Sequence, residues 1–122
     1  MSKHILIVDD ETPLLLAFQR LLSLPGIMVH MAESKDEAVR LLETFDFDVV
    51  ITDLRLGGSG NTEGFEIIES LRRREKAPQT IVVTADDSVE VVERARQLGV
   101  AFLFEKPISA QTLRGALAAL GV

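Results

Sequence analysis

Ile5-Leu6-Ile7-Val8-Asp9-Asp10, close to the amino terminus, joins four consecutive apolar residues directly to two acids. A strand that is apolar at every position is typical of a parallel sheet covered by helices on both faces, whereas half-exposed strands alternate. Three further runs have this character, at 49–51, 81–83 and 102–104. The segment 27–31 alternates around Met28 and His30, which predicts an edge strand.

Segments of helical period separate these runs. Pro13 follows Thr12, so we expect Thr12 to cap the first helix. Ser34 and Glu37 have the spacing of a capping box at the start of the second helix, and Gly99 closes the fourth. Strands that alternate with helices through right-handed crossovers predict an α/β fold. We expect a flavodoxin-like doubly wound (βα)5 three-layer sandwich with a parallel sheet of order 2-1-3-4-5.

The composition narrows the class of protein. With 122 residues, the chain fits one domain, taken as 1–122, that is large enough to bury its own core. Its net charge of -6 argues against direct binding to nucleic acid or to an anionic membrane. The chain has no cysteine, which excludes a disulfide framework, a thiolate zinc site and a cysteine nucleophile. The first apolar run is too short for a signal peptide or a membrane span, so we expect a cytoplasmic protein.

Polar residues follow the predicted strands at their carboxyl ends. Asp9 and Asp10 follow the first strand, Asp53 the third, Thr84 the fourth and Lys106 the fifth. Because these strand ends share one crevice, we expect the side chains to lie together. Two carboxylates about 4 Å apart repel by roughly 4 kcal/mol at an effective dielectric of about 20, so the cluster holds protons or recruits a cation. Oxygen ligands alone favour a hard ion, with Mg²⁺ as first choice and Mn²⁺ as second.

These residue types suit phosphoryl transfer. Asp53 offers a carboxylate nucleophile toward phosphorus, Thr84 a hydroxyl donor and Lys106 a mobile positive charge for the phosphoryl oxygens. Ala85, next to Thr84, is small enough to leave the aspartate open to a donor. Any one of these acids is equally well explained by a turn or a helix cap, whereas a surface lysine is the weaker explanation of Lys106. Capping explains the whole combination poorly.

Four stretches resemble the signature of the response-regulator receiver domain of two-component signalling. They are Ile7-Val8-Asp9-Asp10, Thr52-Asp53-Leu54-Arg55, Val83-Thr84-Ala85 and Glu105-Lys106-Pro107-Ile108. The resemblance covers essentially the whole chain. It implies a regulatory phosphoacceptor that is no enzyme beyond catalysing its own phosphorylation and dephosphorylation.

The resemblance also implies a role for each residue of the motif. The residue that corresponds to the family's phosphoacceptor is Asp53. The groups that correspond to its metal ligands are Asp9, Asp10, Asp53 and the backbone carbonyl of Arg55. Phosphoryl sensing falls on Thr84, Ala85 and Lys106. The family's cis peptide bond falls between Lys106 and Pro107.

The implied partners are those of a phosphorelay. A sensor histidine kinase or histidine phosphotransfer protein would donate the phosphoryl group, and an effector protein or fused output domain would respond. Phosphorylation could also produce a homodimer. Two alternatives remain open: a receiver that binds partners without phosphorylation, and the excised regulatory domain of a longer transcription regulator or hybrid kinase.

Two other classes of protein are each disfavoured by one feature of the sequence. An aspartyl-phosphate hydrolase of the haloacid dehalogenase type wants a second acid two residues after the nucleophile, where this chain has Arg55. A flavin or nucleotide module would place phosphate near the end of the first strand, where Asp9 and Asp10 would repel it.

Two features depart from the family pattern. Leu103 occupies the switch position, three residues before the lysine, where the family usually has Tyr or Phe. Phe102 and Phe104 are expected to face the opposite side of the sheet. The glycine-rich loop 57–64 is three residues longer than usual, which we interpret as a tolerated insertion, with a mobile lid as the alternative.

Two variable positions border the site. Arg55 and Asp86 lie two residues after the acceptor and two after the threonine, where the family's residues flank the attacking water. Our hypothesis is that they pair, shield the acyl phosphate and slow dephosphorylation. His4 and His30 are isolated in sequence and are expected to be structural.

Overall fold

The structure, a computed structural model, describes residues 2–56, 63–86 and 88–122. Strands and helices alternate along the chain as the sequence predicts. The elements are β1 Lys3–Val8, α1 Thr12–Leu22, β2 Ile27–Ala32, α2 Lys35–Thr44, β3 Val49–Thr52, α3 Glu63–Arg72, β4 Gln79–Thr84, α4 Val89–Gln97, β5 Phe102–Glu105 and α5 Ala110–Ala119.

All five strands of the sheet are parallel, in the order β2-β1-β3-β4-β5. This confirms the predicted α/β sandwich and its strand order. The alternating segment forms β2 at one edge, where Met28 is 50% exposed. The residues of β3, by contrast, are all buried, as expected of a strand covered on both faces.

Two helical layers cover the sheet, and side chains of β1 alternate between them. Ile5 and Ile7 pack with residues of α1 and α5 on one face. Leu6 and Val8 pack with residues of α2 and α3 on the other. Each fully buried aliphatic side chain contributes about 1.5–3 kcal/mol to the free energy of unfolding. Because β1 buries side chains on both faces of the sheet, its packing fixes the register of the central strands.

The helix starts agree with the sequence except at α1. Ser34 accepts a hydrogen bond from the Glu37 N–H, which confirms it as the cap of α2. Thr12 is not the cap of α1, because Glu11 occupies that position and Thr12 is the first helical residue. The Thr12 hydroxyl instead donates to Glu33 Oε1 at 2.9 Å, which removes it from the capping role.

Within the described residues, no helix combines the length and apolar character required to cross a membrane.

Candidate functional site

Three backbone hydrogen bonds extend the ladders of the sheet beyond the strands and hold the polar residues at one edge. The Asp9 N–H donates to the Ala32 carbonyl at 3.1 Å, and the Asp53 N–H donates to the Val8 carbonyl at 3.0 Å. At the other side of the site, the Lys106 N–H donates to the Thr84 carbonyl at 2.8 Å. The order of the strands therefore places these side chains around one crevice, as the sequence predicts.

Three carboxylates meet in this crevice. Asp9, Asp10 and Asp53 each offer an oxygen, and these oxygens lie within 4.8 Å of one another. Asp9 is 3% exposed and Asp53 is 8% exposed, whereas Asp10 lies at the surface. Burial raises the pKa of Asp9, although the hydrogen bond from Lys106 opposes the rise. A compact set of oxygen ligands with one face open suits a hard divalent cation.

Backbone amides orient the two buried carboxylates. Asp9 Oδ1 accepts from the Glu11 N–H at 2.9 Å, and Asp53 Oδ1 accepts from the Arg55 N–H at 3.2 Å. Both contacts span two residues, the spacing of an Asx-turn. In each carboxylate the second oxygen, Oδ2, points to the lysine.

Lys106 links the two buried carboxylates. Its Nζ donates to Asp9 Oδ2 and to Asp53 Oδ2, both at 2.8 Å. The side chain is 14% exposed, and Glu11 Oε1 lies 3.5 Å from the same nitrogen. Burial opposes the charged form of Lys106, but the hydrogen bonds to Asp53 and Asp9 outweigh it and raise its pKa. The Lys106–Pro107 peptide bond is cis, as the resemblance implies.

A cavity of about 360 Å³ opens onto the Asp53 carboxylate. Its lining consists of Asp53, Arg55, Thr84, Ala85 and Asp86. Thr84 is 3% exposed, and its Oγ accepts from the Asp86 N–H at 3.2 Å. A donor that approached Asp53 through this cavity would pass Ala85 and the Thr84 hydroxyl.

Two of the residues that line this cavity, Arg55 and Asp86, form an ion pair. The Arg55 guanidinium donates through Nε at 3.1 Å, and also through Nη2, to Asp86 Oδ2. The hydrogen bonds from Arg55 and from the Ser88 N–H lower the pKa of Asp86 to about 2. The pairing that we inferred from the sequence is therefore present.

Gly64 is a site residue whose importance sequence reasoning missed. A Cβ there would lie 2.5 Å from Leu54 Cα and closer still to the carbonyl oxygen of Asp53. The first turn of α3 therefore packs directly on the backbone of the acceptor. Of the predicted glycine-rich loop 57–64, Glu63 and Gly64 belong to the first turn of α3, and residues 57–62 lie outside the described residues.

Leu103 lies behind the site, on the side of α4. It packs with the apolar cluster that includes Val82 and Val91, while Phe102 and Phe104 pack against the opposite cluster, as the alternation predicts. A second cavity, of about 190 Å³, borders both Leu103 and the site residue Thr84. It is lined by Thr84, Asp86, Val92, Leu103, Phe104 and Glu105.

Known proteins of similar sequence place these observations in a family. Residues 5–118 match the family model described as "Response regulator receiver domain". The chain is 34% identical, over 115 residues, to the alginate biosynthesis transcriptional regulatory protein AlgB of Pseudomonas putida, covering 94% of this chain and 25% of AlgB. It is 32% identical, over 116 residues, to the acid tolerance regulatory protein ActR of Sinorhizobium medicae, covering 95% of this chain and 58% of ActR. The chain thus spans only part of the length of either relative.

Solved structures that resemble this chain come from the same family as the relatives of similar sequence. A CheY-like response regulator receiver domain protein from Methanospirillum hungatei superimposes with a TM-score of 0.88 at 26% identity, covering 99% of this chain and 95% of that one. The non-phosphorylated HemR receiver domain of Leptospira biflexa gives a TM-score of 0.85 at 28% identity, covering 98% and 94%. With the fold, the family model and these relatives in agreement, the chain belongs to the response regulator receiver domain family, whose members are phosphoacceptor signalling switches.

Proposed function

We propose that Asp53 is the phosphoacceptor of this receiver domain and takes its phosphoryl group from a histidine kinase or histidine phosphotransfer protein. The observation that carries the proposal is the position of the Asp53 carboxylate. It is buried, it is held by Lys106 Nζ at 2.8 Å, and it faces the cavity of about 360 Å³. A buried carboxylate that borders a cavity is suited to act as a nucleophile toward a donor that enters this cavity.

In the proposed reaction, an oxygen of Asp53 forms a bond to phosphorus. The bond from phosphorus to the histidine nitrogen of the donor breaks, and its electron pair leaves with the imidazole. Lys106 then turns from the carboxylate to a phosphoryl oxygen, and the Thr84 hydroxyl donates to another. Both groups thereby report that the aspartate is modified.

The proposed metal ligands are Asp9, Asp10, Asp53 and the backbone carbonyl of Arg55. Mg²⁺, with Mn²⁺ as a second choice, would neutralise the carboxylates and withdraw charge from the phosphoryl oxygens. The three carboxylates fit such an ion because their oxygens lie within 4.8 Å of one another.

Mg²⁺ binding has a direct thermodynamic test. At about ten times its dissociation constant, Mg²⁺ is expected to raise the free energy of unfolding of the wild type by roughly 1.4 kcal/mol. The Asp9→Asn variant is expected to show little of this gain, measured by urea unfolding followed by circular dichroism. Equal gains in the two proteins would rule out this ligand set.

Arg55 and Asp86 are proposed to slow hydrolysis of the acyl phosphate, because both residues line the cavity in which a phosphoryl group on Asp53 would lie. The double variant Arg55→Ala/Asp86→Ala is expected to lose its phosphoryl group faster than the wild type. Its phosphoryl half-life can be followed by intact mass. A half-life equal to that of the wild type would refute the role in shielding.

The proposed output is a change at the surface formed by α4, β5 and α5, which Thr84 and Lys106 border. The new charge at Asp53 would shift a two-state equilibrium of this surface. Leu103 is proposed to contribute by moving within the cavity of about 190 Å³ that it shares with Thr84. An effector protein, a fused output domain or a second copy of the chain would respond, in the cytoplasm.

Beryllofluoride, a phosphoryl analogue, tests the assignment of Asp53. With Mg²⁺ present, the amide spectrum of the wild type is expected to change at the site residues, and that of Asp53→Asn is not. Asp36→Asn, which removes an exposed acid from the first turn of α2, is the matched control and is expected to respond like the wild type. A response of Asp53→Asn equal to that of the control would exclude Asp53 as the acceptor.

A further inference from the structure

Asp86 connects the cavity at Asp53 to the start of α4. Its Oδ2 accepts from the Arg55 guanidinium, and its Oδ1 accepts from the Ser88 N–H at 3.0 Å. Its own N–H donates to Thr84 Oγ at 3.2 Å. One side chain therefore contacts the site on one side and the residue that precedes α4 on the other.

Ser88 is the cap of α4. Its Oγ accepts from the Val91 N–H at 3.4 Å, and its carbonyl accepts from the Val92 N–H at 3.0 Å. The ion pair between Arg55 and Asp86 thus continues, through two hydrogen bonds, into the first turn of α4. Any change of partner by Arg55 alters the group that holds Ser88.

A phosphoryl group on Asp53 would compete for Arg55. Arg55 lines the same cavity as Asp53, and its guanidinium is held beside this cavity by Asp86, another lining residue. A phosphoryl group carries a charge of about -1.5 to -2 and three acceptor oxygens, and arginine binds such groups with two parallel hydrogen bonds. The ion pair between Arg55 and Asp86 is expected to be weaker than a contact between Arg55 and a phosphoryl group. The two side chains are 35% and 22% exposed, so solvent screens their attraction.

We propose that Arg55 is a phosphoryl-binding residue that exchanges partners, leaving Asp86 for the phosphoryl oxygens on Asp53 and so releasing the Ser88 cap of α4. The proposal rests on the phosphoacceptor role of Asp53 and adds a second connection from the site to α4. This connection does not require an aromatic side chain at position 103, where the chain has leucine.

The proposed exchange of partners predicts that substitutions at Arg55 and at Asp86 change the affinity for beryllofluoride in opposite directions. In a titration with beryllofluoride and Mg²⁺, Arg55→Ala is expected to bind the analogue about tenfold more weakly, because a charged hydrogen-bond donor is lost. Asp86→Asn is expected to bind it more tightly, because Arg55 no longer has to leave a carboxylate. Glu105→Gln removes another nearby carboxylate that has no contact with Arg55 among the described contacts, and it controls for the general loss of negative charge.

Amide hydrogen exchange in α4 supplies the second readout. In the wild type, saturation with beryllofluoride is expected to speed exchange at Val91 and Val92 about fivefold, the effect of a weakened cap. In the Arg55→Ala variant, amide hydrogen exchange at Val91 and Val92 is expected to be fast already without beryllofluoride. Addition of the analogue is expected to speed it little further. Arg96→Ala removes an exposed ion pair with Glu93 on the same helix, and it is expected to respond like the wild type.

The outcomes separate this inference from the phosphoacceptor role. If the wild type fails to bind beryllofluoride, the phosphoacceptor proposal itself fails. If the wild type binds it, but both members of the pair shift its affinity in the same direction, the exchange of partners is wrong. Tighter binding by Glu105→Gln equal to that of Asp86→Asn, or unchanged exchange in α4 of the saturated wild type, would also overturn it.

Discussion

At the scale of single residues, Lys106 holds the site together before any phosphoryl group arrives. Its ammonium group compensates two buried carboxylates that would otherwise repel each other. The identities of these residues were predictable, because each follows a strand. The bridge from one amine to both Asp9 and Asp53 was not predictable, since it depends on how the ends of β1, β3 and β5 are positioned relative to one another.

Removal of the lysine is expected to expose this repulsion. Lys106→Met should lower the free energy of unfolding by about 3 kcal/mol without metal, because it leaves buried carboxylates uncompensated. Mg²⁺ should restore part of the loss, since the cation replaces the missing positive charge. Urea unfolding with and without Mg²⁺ measures both effects.

Lys35 provides the matched control. Its ion pair with Glu66 joins α2 to α3 at the surface, where the two side chains are 34% and 47% exposed. Lys35→Met should therefore cost little stability and show the same Mg²⁺ response as the wild type. A cost for Lys106→Met no larger than that of Lys35→Met would contradict the bridging role.

The two histidines, which the sequence analysis expects to be structural, contact each other in the sheet. His4 of β1 and His30 of β2 stack with ring centroids 5.8 Å apart, and Phe45 lies 4.6 Å from the His30 ring. Their separation in sequence concealed this contact between neighbouring strands. His4 Nδ1 and His30 Nε2 are buried and have no hydrogen-bond partner within the described part of the chain.

Stability should consequently depend on pH near neutrality. Burial, with a smaller contribution from His4, lowers the pKa of His30 below 6.5, so the unfolded chain takes up a proton at a higher pH than the folded one. The contribution of neutral His30 is complete above the unfolded pKa and is lost as the pH falls through the folded pKa. His30→Phe should lose less stability than the wild type between about pH 7.5 and about pH 5.5 in urea unfolding. Equal losses would count against this origin of the pH dependence.

At the scale of elements, the sequence predicted strands better than helix starts. Continuous apolar runs identify buried parallel strands, and alternation correctly placed Leu103 opposite Phe102 and Phe104. The start of α1 was predicted one residue late, because Thr12 bonds to Glu33, which is distant in sequence. The close approach of α3 to the acceptor was not predictable, since it is a contact between backbones.

Gly64 is the residue on which that approach depends. Gly64→Ala should destabilise the protein by about 3 kcal/mol, because the new Cβ would overlap the Asp53 carbonyl oxygen and displace either α3 or the acceptor. Thermal unfolding monitored by circular dichroism measures the change.

Gly115→Ala is the control within another helix. A Cβ at Gly115, in α5, meets nothing within 4 Å, so this substitution should stabilise the protein by about 0.5–1 kcal/mol. If Gly64→Ala is tolerated as well as Gly115→Ala, α3 does not fix the position of Asp53.

At the scale of the whole molecule, topology gathers the site. The order β2-β1-β3-β4-β5 brings together residues from positions 9, 53 and 106. The alternation of strands and helices predicted the parallel sheet, and the order agrees with the flavodoxin-like arrangement that we expected. The pairing of Arg55 with Asp86 was predicted, but its continuation through Asp86 to Ser88 and α4 was not, because it depends on the rotamer of Asp86. The chain matches 25% of AlgB and 58% of ActR, so the activities of those whole proteins do not carry over to it.

Phosphorylation of Asp53 tests the central claim most directly. The protein is incubated with acetyl phosphate and Mg²⁺, and its intact mass is measured before and after treatment with hydroxylamine, which cleaves acyl phosphates. The wild type should gain the mass of one phosphoryl group and lose it with hydroxylamine, while Asp53→Asn should gain none. A wild type that stays unmodified, or an Asp53→Asn variant that is modified to the same extent, would contradict the account.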